Sequence, residues 1–225
     1  MPLLIFDLDG TLIDSKLDLA NSVNAMLGHM GMPVLTNETV YSYVGNGAPV
    51  LVRKALGPSA SDADVSYALD YFLSYYREHM LDYTHLYPGV REALERMREQ
   101  GAAMAVLTNK PVRFSQAIVD GLGVADFFFQ VYGGNSFETK KPEPTGARKL
   151  VEESGQPPES AWMVGDSAVD IRTARNAGIG AVGVSYGFQP EGFLEYPPDL
   201  VVDDLRELAD WLGGRLGARN GVSTG

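Results

Sequence analysis

Apolar residues along the chain fall into short, mostly unbroken runs, separated by longer stretches in which they recur every three or four positions. The runs occupy residues 3–6, 102–107, 127–132, 161–164, 181–184 and 200–202. A strand that shows no alternation of apolar and polar residues is buried on both faces, which is the habit of parallel sheets. Between the runs, Val90, Leu94 and Met97, then Phe114, Ile118 and Leu122, then Ala147, Leu150 and Val151 place apolar groups on one helix face. Strands alternating with helices predict an α/β fold with a doubly wound, mostly parallel sheet.

One stretch breaks the alternation. Residues 15–85 carry no convincing strand but several helical stripes, among them Ala20, Val23, Leu27 and Met30, and later Val65, Leu69, Phe72 and Tyr76. They predict an all-helical cap inserted after the first strand, with residues 1–14 and 86–212 forming a Rossmann-like core. Pro88 and Gly89 mark the return, because neither favours continuing a helix. Residues 213–225 are rich in Gly without apolar periodicity and read as a frayed tail.

Composition narrows the chemistry. There is no cysteine among the 225 residues, which removes disulfides, thiolate metal sites and cysteine nucleophiles. The 29 Asp and Glu against 18 Lys and Arg give a formal net charge of −11, unsuited to a nucleic acid, whose binding depends on cations that neutralise phosphates. No apolar run approaches the roughly 18 residues of a membrane span, and no basic segment leads into a long apolar one. The expectation is a cytoplasmic protein, monomer or homodimer, with no membrane or nucleic-acid partner.

Four clusters follow predicted strands, where open α/β sheets gather their ligands. Asp7, Leu8, Asp9, Gly10 and Thr11 place two carboxylates beside a glycine able to turn the backbone sharply; the same residues also suit an ordinary turn capped by Thr11. Thr108, Asn109 and Lys110 offer hydroxyl, amide and backbone donors to phosphate oxygens, or a helix cap before Pro111. Lys141 stands in a stiff segment, Lys140, Lys141, Pro142, Glu143 and Pro144, that presents an ammonium to an anion or forms a solvated loop. Asp166 and Asp170, four residues apart, repel one another unless a cation intervenes, and hint at a hard metal ion; their place at a helix start is the alternative explanation.

Taken in order, these clusters resemble the four motifs of the haloacid dehalogenase-like phosphohydrolases, and the likeness covers nearly the whole chain. Within that family, Thr108, Asn109, Lys110 and Pro111, with the cap segment Tyr43, Val44, Gly45, Asn46, Gly47 and Ala48, are most similar to the phosphoglycolate phosphatases. The resemblance implies Asp7 as nucleophile, Asp9 as general acid and base, and Mg²⁺ held by Asp7, the backbone carbonyl of Asp9 and Asp166. It further implies that Thr108 and Lys141 hold the transferring oxygens, with Asn109 beside them, that Asp170 orients Lys141 or a metal-bound water, and that the Lys141–Pro142 bond is cis.

The implied substrate is a small phosphorylated metabolite such as 2-phosphoglycolate, its carboxylate met by Gly45, Asn46 and Gly47. Pyrophosphate, nucleotide or sugar phosphate hydrolysis, and sugar phosphate mutation, are the alternatives within the family. Asp9, usually lacking in dehalogenases, argues against halide chemistry. A receiver-like phospho-switch is the alternative outside the family, but receivers lack an insertion of this size. The three histidines, His29, His79 and His85, and the aromatic group Tyr71, Phe72, Tyr75 and Tyr76 read as structural or surface residues of the cap.

Overall fold

The computed structural model describes residues 1–220. In chain order its elements are β1 (Leu3–Phe6), β2 (Ile13–Asp14), α1 (Lys16–His29), α2 (Asn37–Tyr41), α3 (Ala48–Leu56), α4 (Asp62–His79), β3 (His85–Leu86) and α5 (Val90–Glu99). There follow β4 (Ala103–Leu107), α6 (Val112–Gly121), β5 (Gln130–Tyr132), α7 (Thr145–Ser154), β6 (Ala161–Gly165), α8 (Ala168–Ala177), β7 (Gly180–Val184), β8 (Leu200–Val202) and α9 (Leu205–Asn220). None of the described helices is long and apolar enough to cross a membrane.

Six strands form one parallel sheet in the order β5-β4-β1-β6-β7-β8. The unbroken apolar runs have their cause here, because successive side chains alternate between two covered faces. Leu4, Phe6, Met104, Val106 and Val182 pack with residues of α5, α6 and α9; Leu3, Ile5, Ala105, Leu107 and Met163 pack with residues of α7 and α8. All four residues of β1 are fully buried, and each large apolar side chain of that kind contributes about 1.5–3 kcal/mol. The central position of β1 makes the loop that follows it the natural focus of a site.

Helices α1 to α4 assemble their own core from Val23, Met26, Leu27, Val52, Phe72 and Tyr76. Phe114 of α6 belongs to the same cluster and meets the Tyr76 ring edge-on at 5.4 Å, which seats the helical layer on the sheet domain. Helix α4 starts with a capping box in which the Ser61 and Asp64 side chains each satisfy the other's backbone N–H.

Several local features differ from the sequence reading. The two crossings between layers form an antiparallel pair, Ile13 opposite Leu86 and Asp14 opposite His85, too short to leave a periodic signal. Beside it the buried Asp18 carboxylate accepts from Tyr83 N at 3.0 Å, Thr84 N at 2.8 Å and Thr84 Oγ1 at 2.7 Å, which ties the return crossing to α1. The apolar run at 127–132 divides into a 3-10 turn, Ala125–Phe127, and the shorter β5, because Phe128 turns in to meet Phe6 edge-on at 6.3 Å.

The expectation of a frayed tail from residue 213 also needs correction. Helix α9 continues to Asn220, and only residues 221–225 lie outside the described residues. Buried Leu205, Leu208, Ala209 and Leu212 nucleate the helix on the core, so adding further turns costs little even through Gly213 and Gly214. The Arg215 guanidinium lies over the Trp211 and Trp162 rings at 4.7 and 5.1 Å.

Candidate active site

Backbone hydrogen bonding carries the sheet one residue past β1, with Asp7 N donating to Val164 O at 2.9 Å, and the chain then turns. Gly10 makes that turn with φ of 82°, and a Cβ there would fall 2.3 Å from Asp166 Oδ2. Glycine is therefore required both by the backbone and by the close approach of the β6 loop. The turn brings Asp7 and Asp9 to one cleft under the helical layer. The cleft encloses roughly 700 Å³, open solvent at its mouth included.

The two carboxylates have different partners. Asp7 Oδ1 accepts from Leu8 N at 2.7 Å and lies 2.9 Å from Lys141 Nζ. Burial pushes the Asp7 carboxyl up to about 6, with Lys141 opposing and Asp170 adding to the rise. Asp9 is held by Ser15 Oγ at 2.5 Å and by Lys110 Nζ at 2.9 and 3.0 Å. The first acid is thus fixed from the core side, and the second by the residue that leads into α1 and by the β4 loop.

Lys141 is buried, and its ammonium also pairs with Asp170 Oδ1 at 2.6 Å. Burial alone would lower the Lys141 pKa, but Asp170 and Asp7 hold it above its ordinary value. The other oxygen of Asp170 accepts from Ser167 N and Oγ at 3.1 and 2.7 Å, so Asp170 both caps α8 and orients Lys141. Gly165 leaves the room for this, since a Cβ there would lie 2.2 Å from Asp170 Cγ. The Lys141–Pro142 bond is cis.

Asp166 is buried, accepts from Phe188 N at 2.7 Å and from Thr11 Oγ1 at 3.3 Å, and pairs directly with no ammonium among the described residues. Burial, then the charges of Asp170 and Asp7, push it up to about 8. Oxygens of Asp7, Asp166 and Asp170 lie within 4.8 Å of one another. Three acids served by one lysine are a hard, all-oxygen donor set short of positive charge, and Mg²⁺ fits that deficit. The Asp9 carboxylate is turned away towards Ser15 and Lys110, which leaves its backbone carbonyl as the group the family resemblance assigns to the metal.

The remaining expected residues separate. Thr108 is buried in the cleft wall, and its Oγ1 accepts from Lys110 N at 3.3 Å; it does not cap α6, whose preceding residue is Pro111. Asn109 directs Nδ2 to Lys141 O at 3.1 Å and Gly45 O at 3.3 Å, so its side chain holds loops together rather than offering donors to the cleft. Gly45 and Gly47 line the cleft with φ of 112° and 87°, but Asn46 is exposed, is not among the lining residues, and presents its carbonyl to Lys140 Nζ at 2.8 Å. Three consecutive carbonyls of this cap loop, Val44, Gly45 and Asn46, accept from Gln189, Asn109 and Lys140. Positive φ at the flanking glycines is what lets the loop present them to the core.

Other residues of the cleft left little trace in the sequence. Lys110 stood within a motif, but nothing there pointed to Asp9. Phe72 and Tyr76 read as cap core, and both are buried, yet they also line the cleft. Their stripe on α4 signals burial, and burial under a cavity looks the same as burial in a core. Burial pushes the Tyr76 phenol up to about 12, against the pull of nearby Lys110. The three histidines are consistent with surface or structural roles: His29 stacks on Tyr71, His79 on Tyr75, and His85 is exposed.

Comparison with known proteins gives the same picture. The model of the haloacid dehalogenase-like hydrolases matches residues 4–184. Phosphoglycolate phosphatase of Pseudomonas fluorescens is 43% identical over 213 residues, 92% of this chain and 78% of the relative. That of Vibrio vulnificus is 39% identical over 215 residues, covering 92% of this chain and 94% of the relative. The crystal structure of a predicted phosphoglycolate phosphatase from Haemophilus somnus superposes with a TM-score of 0.88 at 34% identity, covering 94% of this chain and 97% of the other. An acid-bearing loop after the first strand, a helical layer above it, and relatives of this likeness over most of their length lead to one assignment: the chain belongs to the haloacid dehalogenase-like hydrolases and is a phosphatase.

Proposed function

We propose that the protein is a Mg²⁺-dependent phosphomonoester hydrolase acting through an aspartyl-phosphate on Asp7, with 2-phosphoglycolate or a similar small phosphorylated metabolite as substrate. The observation that carries this reading is the convergence on one cleft of Asp7, paired with Lys141 at 2.9 Å, and Asp9, held by Ser15 and Lys110.

An oxygen of Asp7 attacks phosphorus and the bond from phosphorus to the leaving oxygen breaks. Asp9 gives its proton to that oxygen, so the leaving group departs as a neutral alcohol function. The carboxylate left on Asp9 takes a proton from water; the water oxygen attacks phosphorus, the bond to Asp7 breaks, and phosphate leaves with Asp7 restored and Asp9 protonated again. Lys141 and Thr108 stabilise charge on the transferring oxygens. Asp7, Asp166 and the carbonyl of Asp9 would hold Mg²⁺, which when bound supplies Lewis-acid charge at the phosphoryl group.

The substrate reading rests on the relatives' names. Phosphate release from 2-phosphoglycolate, ethyl phosphate, pyrophosphate, a nucleoside monophosphate and a hexose phosphate, each with Mg²⁺, tests it. The expected result is the highest kcat/KM for 2-phosphoglycolate; a better nucleotide or hexose phosphate would replace it.

A further inference from the structure

The half of the cleft that faces the cap is walled by Leu19, Val44, Leu51 and Phe72, with Phe114 and Phe188 from the core. Within this apolar enclosure two side-chain functional groups stand out. Lys110 carries the only ammonium among the residues lining the cleft, and the Tyr76 hydroxyl is buried without a hydrogen-bond partner. Their closeness is direct, with Lys110 Nζ 4.7 Å from the centre of the Tyr76 ring. A lysine has three N–H donors, and its two contacts with Asp9 engage at most two of them. The remaining ammonium donor lies beside the Tyr76 phenol, so the two together present a cation and a hydroxyl to something that enters the cleft. The buried phenol makes no geometric hydrogen bond of its own, and an arriving acceptor would supply one.

Placement beside Asp9 says which part of a substrate arrives there. A general acid stands about 2.6–3.2 Å from the oxygen it protonates. Lys110 Nζ is 2.9 Å from the Asp9 carboxylate, so atoms one or two bonds beyond the leaving oxygen come within its reach, whereas Lys141 pairs with Asp7. We infer that Lys110 and Tyr76 form a subsite for an anionic group on the leaving alcohol, selecting phosphate esters of short 2-hydroxy acids. This rests on the phosphatase reading above and deepens it. It also moves recognition of the carboxylate from the exposed Asn46, where the sequence suggested it, to a buried cation and phenol.

The test is the ratio of kcat/KM for 2-phosphoglycolate to that for ethyl phosphate, two esters that differ in the carboxylate. Lys110→Met and Tyr76→Phe are each expected to lower the ratio, the first at least tenfold and the second severalfold, while Lys110→Arg keeps most of it. Because Lys110 also touches Asp9, its loss will slow both substrates; the ratio removes that shared effect. Should Lys110→Met be too slow to assay, calorimetric affinities of both esters for Asp7→Asn, with and without Lys110→Met, report the same ratio without turnover. A wild-type enzyme that shows no preference between the esters would overturn the substrate reading itself. A clear wild-type preference that survives both Lys110→Met and Tyr76→Phe would overturn this subsite alone.

Discussion

The ammonium of Lys141 lies 2.9 Å from Asp7 Oδ1, although the two residues belong to segments on opposite sides of the cap insertion. The pair sits in a buried environment in which Asp7 is otherwise disfavoured as an anion. Lys141 opposes the effect of burial on Asp7, and in the proposed reaction it would favour the ionised form for attack and screen the like charge of an approaching phosphate.

Replacing Asp7 by Asn removes both the attacking oxygen and an anionic ligand. Turnover is expected to fall by roughly a thousandfold or more, with the circular dichroism spectrum unchanged. Retention of more than a small fraction of the wild-type rate would falsify the nucleophile assignment.

Asp9→Asn is expected to be severely impaired, and more so on alkyl than on aryl phosphates. A poor leaving group needs a proton as it departs, whereas a nitrophenolate does not. Equal losses on ethyl phosphate and p-nitrophenyl phosphate would contradict the general-acid role.

Activity is expected to vanish in a chelator, to return with Mg²⁺, and to be inhibited by Ca²⁺, whose larger and less regular shell would misplace the nucleophile. Steady-state rates across these conditions check the point; a full rate in chelator would remove the metal from the reaction.

The site carboxyls also give stability a pH dependence. Burial holds Asp7 at about 6 and Asp166 at about 8, against an ordinary 3.8, so the folded chain keeps protons that the unfolded chain has released. Their contribution is fully present below about pH 4 and is lost as pH rises through 6 and then 8. Mg²⁺ needs ionised ligands, so its effect runs the other way. Scanning fluorimetry of the metal-free protein is expected to show Tm falling from about pH 5 to about pH 8, with Mg²⁺ raising Tm more at the higher pH. A larger Mg²⁺ effect at the lower pH would mean these carboxyls are not the ligands.

Asp18 lies outside the cleft but fastens the cap to its return crossing. Asp18→Ala orphans Tyr83 N, Thr84 N and the Thr84 hydroxyl at once, and is expected to cost about 2–4 kcal/mol. Urea unfolding of the variant measures it; a loss below half a kilocalorie would show that water replaces the carboxylate.

Local pattern along the chain was enough to define the layers and to place the candidate site acids. Apolar runs without alternation predict strands covered on both faces, as β1, β4, β6 and β7 are, and acids directly after β1 and β6 then fall at the sheet's carboxyl edge. Thr108 and Asp170 were legible for the same reason, since each belongs to a local pattern of fixed spacing relative to its element. Which charge meets which is set by packing. Lys110 pairs with Asp9 and Lys141 with Asp7 because separate loops converge across the sheet, and no spacing within either segment encodes that distance.

Local pattern also failed where burial alone was readable. Tyr76 sits on an apolar stripe whether its hydroxyl faces a core or a cavity, and Asn46 sits between two glycines whether its amide turns inward or to solvent. Helix α9 passes through residues with no apolar period because its first turns are anchored by Leu205 and Leu208, a cooperative effect that acts at a distance along the chain. Periodicity records how much of a side chain is covered; only packing chooses its partner.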